Sequence, residues 1–592
     1  MVGGGGAALR AAIAAHDLNP ALEVALLTKG RLGESGVTAT ACSDRMAYHA
    51  TLKHTEPGGD DAWKYHAEDI YRIGGCVSDA DLAAILAENA GESFYYLDSL
   101  GVPFAKRGDG LAQQFVTDGS KYARACYTGP YTANHIEEAL VRKIRTTPVM
   151  IIENTMAVEI IKDGARAAGL LILDTVSEEY SLIGAGAIVL ATGGPGGLFT
   201  MNVFPEGMTG DGQAMALRAG AELVNIEFIQ IGLSSVKTKL ACSGSMFRAL
   251  PRLVNSDGEE FLPDYYRGGS CPMFGIVFGK GASWPVSREE ASSIIDIAVA
   301  KENARGKKVY LDYSDDPSGI DLRTIDETIR TWYARIKGVD LTAAEAPATP
   351  LARLKLINRP VVQWLRERGI DLDKGDRIEL APAIQHFQGG IKIRERANTC
   401  IAGLFAAGEA AGGQHGANRP GGNALMDSQV FGKIAGEEAA EYAVAASRSS
   451  DIEPQAGTLA DEVKRNIATG KLPATEARER IQRAMSSAAG VVRTEAGLKS
   501  GLEAVSEVQA AGIRADTGAA HAIETLNMID SASAVLSACL ARKESRGPHL
   551  FFADDMTIEP MGRSDEFDRY VVITLRSGEL KTEWRRPVTE FD

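Results

Sequence analysis

A chain of 592 residues with a net charge of -15 is too long for one hydrophobic core, and its charge argues against a nucleic-acid partner. Hydrophobic residues at 45%, charged residues at 24% and a mean hydropathy of -0.09 give an ordinary globular profile, with no apolar run long enough for a direct membrane span. Seven scattered cysteines without a C-x-x-C pair exclude an obvious metal or iron–sulfur centre within the chain; with no signal-peptide pattern at the start, a cytoplasmic setting is expected.

Along the chain, Gly3-Gly4-Gly5-Gly6 and the Ala-rich stretch to residue 17 predict a glycine turn opening a helix, and EVALLTKG (23–30) predicts a short buried strand. This is a βαβ unit whose first strand is cut to Met1-Val2, so a truncated or misassigned start is expected. Residues 150–174 predict two strands around a turn at Asp163-Gly164, and AGAIVLATGG (185–194) predicts a buried strand ending in glycine. TGDGQAMALRAGAEL (209–223) opens a helix behind a glycine-rich start. Residues 232–370 break the rhythm with mixed short elements and turn signals, so an inserted domain is expected there. The α/β pattern resumes through 371–440, notably in CIAGLFAAGEAAGG (400–413). Residues 441–545 are Ala/Glu/Arg-rich at helical spacing, and the tail, 546–592, holds a hairpin around Ser577-Gly578. The expected fold class is α/β: a Rossmann-like domain from 1–231 and 371–440, an α+β capping domain, a helical domain and a β tail.

The opening glycines fit G-x-G-x-x-A with Gly3, Gly5 and Ala8, a turn that lets backbone approach a pyrophosphate at a helix N-terminus. The acidic ribose ligand that usually ends the second strand is replaced by Thr28-Lys29. ATGG (191–194), TGDG (209–212) and AAGEAAGG (406–413) add three more glycine turns, and the set points to a large nucleotide cofactor. QHGANRPGGNALMD (414–427) places Arg419 among small residues, where a guanidinium calls for an anionic partner.

These pieces, with VVRTEAGL (491–498) and ARKESRGPH (541–549), resemble the flavoprotein subunits of the succinate dehydrogenase and fumarate reductase family, which includes L-aspartate oxidase. The resemblance implies FAD in a Rossmann-like domain, a capping domain and a C-terminal helical domain. It places Gly3, Gly5, Gly6 and Ala8 at the pyrophosphate and Thr28 and Lys29 at the adenosine ribose. Ser35, Gly36, Val158, Ala191, Thr192, Gly193, Gly194 and Gly408 line the cofactor, while Asp211 and Glu409 hydrogen-bond to it. The helix opening at Asn423, Ala424 and Leu425 aims its N-terminus at the flavin ring, and Arg546 supports the flavin edge. Where the family attaches FAD through a histidine in S-H-T, this chain reads Ser35-Gly36-Val37, so FAD is expected to be non-covalent.

On the substrate side the resemblance gives Arg419 a substrate carboxylate and Arg288, in PVSREEASS, the proton. A family histidine-proline-threonine is replaced by Gly232-Leu233-Ser234. A second family histidine falls on Gln385, with His386 one place later; on a strand that shift turns His386 to the other face unless a bulge restores it. The expected activity is hydride transfer between flavin and a carboxylic acid and its 2-enoate, not succinate itself, with electrons exchanged through a separate iron–sulfur subunit. Two alternatives stand beside it: an L-aspartate-oxidase-like amino acid oxidase, and a catalytically silent flavin-binding subunit.

Overall fold

The computed structural model describes the chain apart from residues 42, 44–45, 118–119, 267, 269–272, 284, 447–451 and 590–592. Cys42 and Cys271 lie outside the described residues, and Cys76, Cys126, Cys242, Cys400 and Cys539 are free thiols.

The glycines lead into α1 (Gly6–Leu18), followed by β1 (Ala25–Leu27). Helix α2 (Thr132–Ile144) then precedes β2 (Met150–Ile152), which pairs in parallel with β1. Strand β3 (Ile188–Leu190) lies on the other side of the chain start. Between β1 and β3 sit Met1 and Val2: Val2 N donates to Val189 O at 2.9 Å, Leu27 N to Met1 O at 2.9 Å and Gly3 N to Leu27 O at 2.8 Å. Val2 thus bridges in parallel to Leu27 on one side and to Leu190 on the other. Helix α3 (Asp211–Ala219) opens behind Gly210, as its glycine-rich start predicts.

Strands β4 (Ile229–Ser235), β5 (Arg252–Asn255), β6 (Val309–Asp312) and β7 (Ile378–Phe387) form an antiparallel sheet in the order β4-β7-β6-β5. Ile229, Ile231, Ile384 and Phe387 belong to the main core, whereas Leu233, Leu253, Leu311, Ile378 and Leu380 belong to a second one. The β4–β7 pair is therefore the strut between two separately packed bodies, and residues midway along it stand at their junction.

After this insert, β8 (Leu404–Ala406) pairs in parallel with β3 and returns the chain to the nucleotide-type sheet. Helix α4 (Asn423–Ala445) packs on α1 backbone to backbone: a Cβ on Gly436 would lie 2.1 Å from Ala11 O. Helices α5 (Ala474–Ala488), α6 (Glu495–Ala511) and α7 (Ala519–Ala541) build the helical domain. The tail hairpin, β9 (Tyr570–Arg576) and β10 (Glu579–Arg585), turns at Ser577-Gly578 with φ of 52° and 80°. Among the described residues no helix is long and apolar enough to cross a membrane.

Candidate active site

The glycine turns after Val2, β3 and β8 meet at one edge of the sheet. A Cβ on Gly3 (φ +123°) would lie 2.2 Å from Ala191 O, so the first turn rests directly on the second. Helix α1 has no side-chain cap and no acid in its first turn; Gly6 N donates to Thr38 Oγ1 at 3.2 Å. Such a start suits a diphosphate. Ala8 is buried behind it, and the Thr28 hydroxyl lies under Gly4. Glu409, beside Gly194 and Gly408, accepts from Phe387 N at 2.9 Å. Buried side-chain atoms around these turns, Thr192 Oγ1, Gln213 Oε1, Gln429 Oε1 and Asn423 Nδ2, find no hydrogen-bond partner within the chain. A cradle of glycine turns edged with unmatched polar atoms fits a dinucleotide that brings its own donors and acceptors.

Several expected cofactor residues have another task. Lys29 Nζ donates to Gly207 O at 2.7 Å and to Asp211 Oδ2 at 2.7 Å, and pairs with Glu524 Oε1 at 2.5 Å. These contacts use its three protons, so it has none for a ribose. Asp211 in turn accepts from Thr209 Oγ1 and from Asn527 Nδ2, both at 2.9 Å. Arg546 is fully buried on Glu544 (2.7 Å), Asp568 (2.7 Å) and the carbonyl of Gly75, and works as an internal clamp. Ser35 Oγ donates to Arg31 O at 2.7 Å, Gly36 (φ +91°) caps a short helical turn, and Val158 is the unpaired residue of a bulge in its strand. Gly193 takes φ +75° directly after Thr192.

At the start of α4 the substrate side comes together. Arg419 is buried; its guanidinium donates to Gln230 Oε1 at 2.8 Å and to Pro420 O at 2.9 Å. Gln230 sits opposite His386 in the β4–β7 ladder, while Ile231 sits opposite Ile384. Gln385 is therefore the extra residue of a β-bulge, and the bulge turns His386 back to the buried face. Its ring lies 6.1 Å from that of His415, edge to face. Burial first, then the charge of Arg419, holds His386 well below the usual histidine range. Burial likewise pushes the Glu409 carboxyl up to about 8.

A second histidine pair, which the sequence does not single out, stands behind Gly422. His49 Nδ1 lies 2.8 Å from Asn423 Oδ1 and its Nε2 lies 2.6 Å from Thr117 Oγ1, which donates to Gly421 O at 2.7 Å. His66 Nε2 reaches the same Asn423 oxygen at 3.4 Å. Burial, then Arg124, lowers His49 to about 3, so at neutral pH it is an uncharged brace for the Gly421–Asn423 turn. The signal that could have found His66 is its spacing from Asp69 on one helix, since Asp69 holds Arg124 at 2.7 Å.

Arg288 is not brought to this cluster. Its segment runs beside β4, with Val286 N donating to Ile231 O and Arg288 N to Gly547 O, both at 2.8 Å, but its side chain is exposed in a groove with Glu290, Ile294 and Ile558. No metal-binding group of His, Cys, Asp and Glu exists among the described residues.

A family model described as an FAD binding domain matches residues 1–425, and one described as the fumarate reductase flavoprotein C-term matches 478–589. An uncharacterized FAD-dependent oxidoreductase of Methanocaldococcus jannaschii is 31% identical over 562 residues, covering 93% of this chain and 92% of its own. One subunit of the fumarate reductase (CoM/CoB) of Methanothermobacter marburgensis is 29% identical over 571 residues, 93% of each chain. Among solved structures, a quinol–fumarate reductase with menaquinol molecules superposes with a TM-score of 0.79 at 25% identity, over 99% of this chain and 97% of that one. Sdh1 of Mycobacterium smegmatis in complex with UQ1 gives 0.75 at 26% identity, over 99% and 93%.

Proposed function

Since this chain belongs to the fumarate reductase and succinate dehydrogenase flavoprotein family and is an FAD-dependent oxidoreductase, we propose that it interconverts a carboxylic acid and its 2-enoate. FAD, when bound, supplies or accepts the hydride at N5. Gly3, Gly5, Ala191–Gly194, Gly408 and the first turn of α4 would hold it non-covalently, because Gly36 offers no atom for a bond.

The observation that carries this reading is the buried Arg419 guanidinium, a planar donor already aimed by Gln230 and by its own Pro420 carbonyl at the mouth of α4. His386, His49 and Glu409 around it are uncharged at neutral pH, so a carboxylate entering the site meets no like charge from them. In the saturated-to-unsaturated direction one carbon of the C2–C3 pair loses hydride and the other loses a proton. His386, whose ring feels the charge of Arg419, orients the acid.

Gly232 lies two places beyond Gln230 and carries no side chain, which favours an acid bulkier than succinate on that side. A separate iron–sulfur subunit would exchange the electrons; the related Methanothermobacter chain is named as one subunit of a larger enzyme. The test is the reconstituted, photoreduced holoprotein mixed anaerobically with fumarate, aconitate and aryl-enoates. Return of the oxidised flavin spectrum with at least one of them is expected, and loss of that response in Arg419→Gln. A flavin that no enoate re-oxidises would overturn the reading.

A further inference from the structure

The clamp on Lys29 crosses between domains. Lys29 stands just past β1, at the end of the second strand of the nucleotide unit, where a ribose-binding side chain belongs. Its partner Glu524 lies on α7 of the helical domain, and Glu524 Oε2 also accepts from Arg478 of α5 at 2.7 Å. Burial works to lower the Lys29 pKa, but Asp211 and Glu524 outweigh it and raise it.

What the clamp holds is the loop 207–211. That loop lies on the second glycine turn: a Cβ on Gly193 would lie 2.4 Å from Met208 Cε, and one on Gly212 would lie 2.2 Å from Thr192 Oγ1, while Gly197 N, just past the turn, donates to Met208 O at 2.8 Å. Along the same seam Gln213 Nε2 donates to Gly193 O at 3.0 Å, while Gln213 Oε1 and Thr192 Oγ1 are buried with no partner in the chain. These two oxygens stand beside the turn that carries the cofactor, and the loop fixes where they are.

We propose that Glu524 is a positioning residue for the adenosine end of FAD, acting through Lys29 to lock the loop 207–211 against the turn Ala191–Gly194. The helical domain thereby completes a nucleotide site whose glycines all belong to another part of the chain. The inference rests on FAD binding alone and is independent of which acid is the substrate.

The experiment uses the full-length protein stripped of flavin, with FAD and ADP as separate probes. Glu524→Gln weakens FAD and ADP binding by about tenfold or more, the scale of one charge-assisted contact. Glu524→Asp recovers most of that loss, and the midpoint potential of the flavin that does bind is unchanged, because the effect sits at the far end of the cofactor. Arg478→Gln, which loosens Glu524 without removing it, weakens both probes in the same direction by a smaller factor and serves if Glu524→Gln fails to fold. Unchanged FAD and ADP affinities alongside a lowered melting temperature would make Glu524 merely structural and overturn the proposal. So would a shifted flavin potential with unchanged ADP affinity.

Discussion

The two ends of the cofactor site are built on opposite principles. At the adenosine end, Lys29, Asp211, Glu524 and Arg478 neutralise one another within the chain. Around Arg419, by contrast, stand histidines and a carboxyl that burial holds uncharged, and Asn423 Nδ2 lacks an internal partner, as Thr192 Oγ1 and Gln213 Oε1 do at the glycine turn that the saturated cluster braces. Saturated charge marks scaffold, because breaking it leaves a buried ion; unmatched polar atoms mark where a small molecule completes the structure.

Glu137 on α2 offers the sharpest way to test that division. Both its carboxyl oxygens are buried without a partner, and burial raises it from 4.5 to about 8. An acid with a raised folded pKa leaves stability intact below 4.5 and removes it as pH climbs toward 8, since only the unfolded chain ionises in that window. At about 1.4 kcal/mol per unit the loss approaches roughly 5 kcal/mol above that window. Glu137→Met should therefore stabilise the protein at pH 9 and hardly at all at pH 4, read as a difference in denaturation midpoint. Equal effects at both pH values would place a counter-charge beside Glu137.

Breaking the saturated end comes next. Lys29→Met leaves Asp211 and Glu524 buried and short of a counter-charge, so roughly 3–5 kcal/mol of stability is lost. Adding Glu524→Gln to Lys29→Met should return part of that loss, which thermal unfolding of the two variants checks.

At the open end, Arg419→Met should lower kcat/KM by about 10²–10³-fold, from roughly 3–4 kcal/mol of lost carboxylate binding, while flavin content stays normal. Loss of flavin together with activity would move Arg419 into the scaffold.

The smallest effect concerns the bulge. Deleting Gln385 leaves His386 opposite Gln230 in a regular β4–β7 ladder, so kcat/KM should stay within about threefold of the parent. His386→Ala should cost about 10–100-fold, the scale of one lost contact. A His386→Ala variant as active as the parent would mean that His386 does not touch substrate.

How far the sequence reached depended on the range of the interactions. The glycine turns, the helix opening at Asn423 and the hairpin at Ser577-Gly578 were legible because local backbone sterics and short spacing dictate them. Arg419 was legible as a cation among small residues. The bridge from Lys29 to Glu524 was not legible, since the two are nearly five hundred residues apart and no local pattern announces it. Arg288 was expected beside the substrate, but with Val286 bonded to β4 and its own backbone N to Gly547, its side chain is exposed in a groove outside the cluster.

By itself, then, the amino-acid order determined the glycine corners of an FAD-binding fold and a guanidinium set among small residues, because both follow from steric freedom and charge at single positions. Which way His386 faces, what Lys29 holds and how His49 braces Asn423 were decided only in three dimensions. Each turns on a contact between segments far apart in the chain, where one residue of bulge or one bridge across domains outweighs local preference.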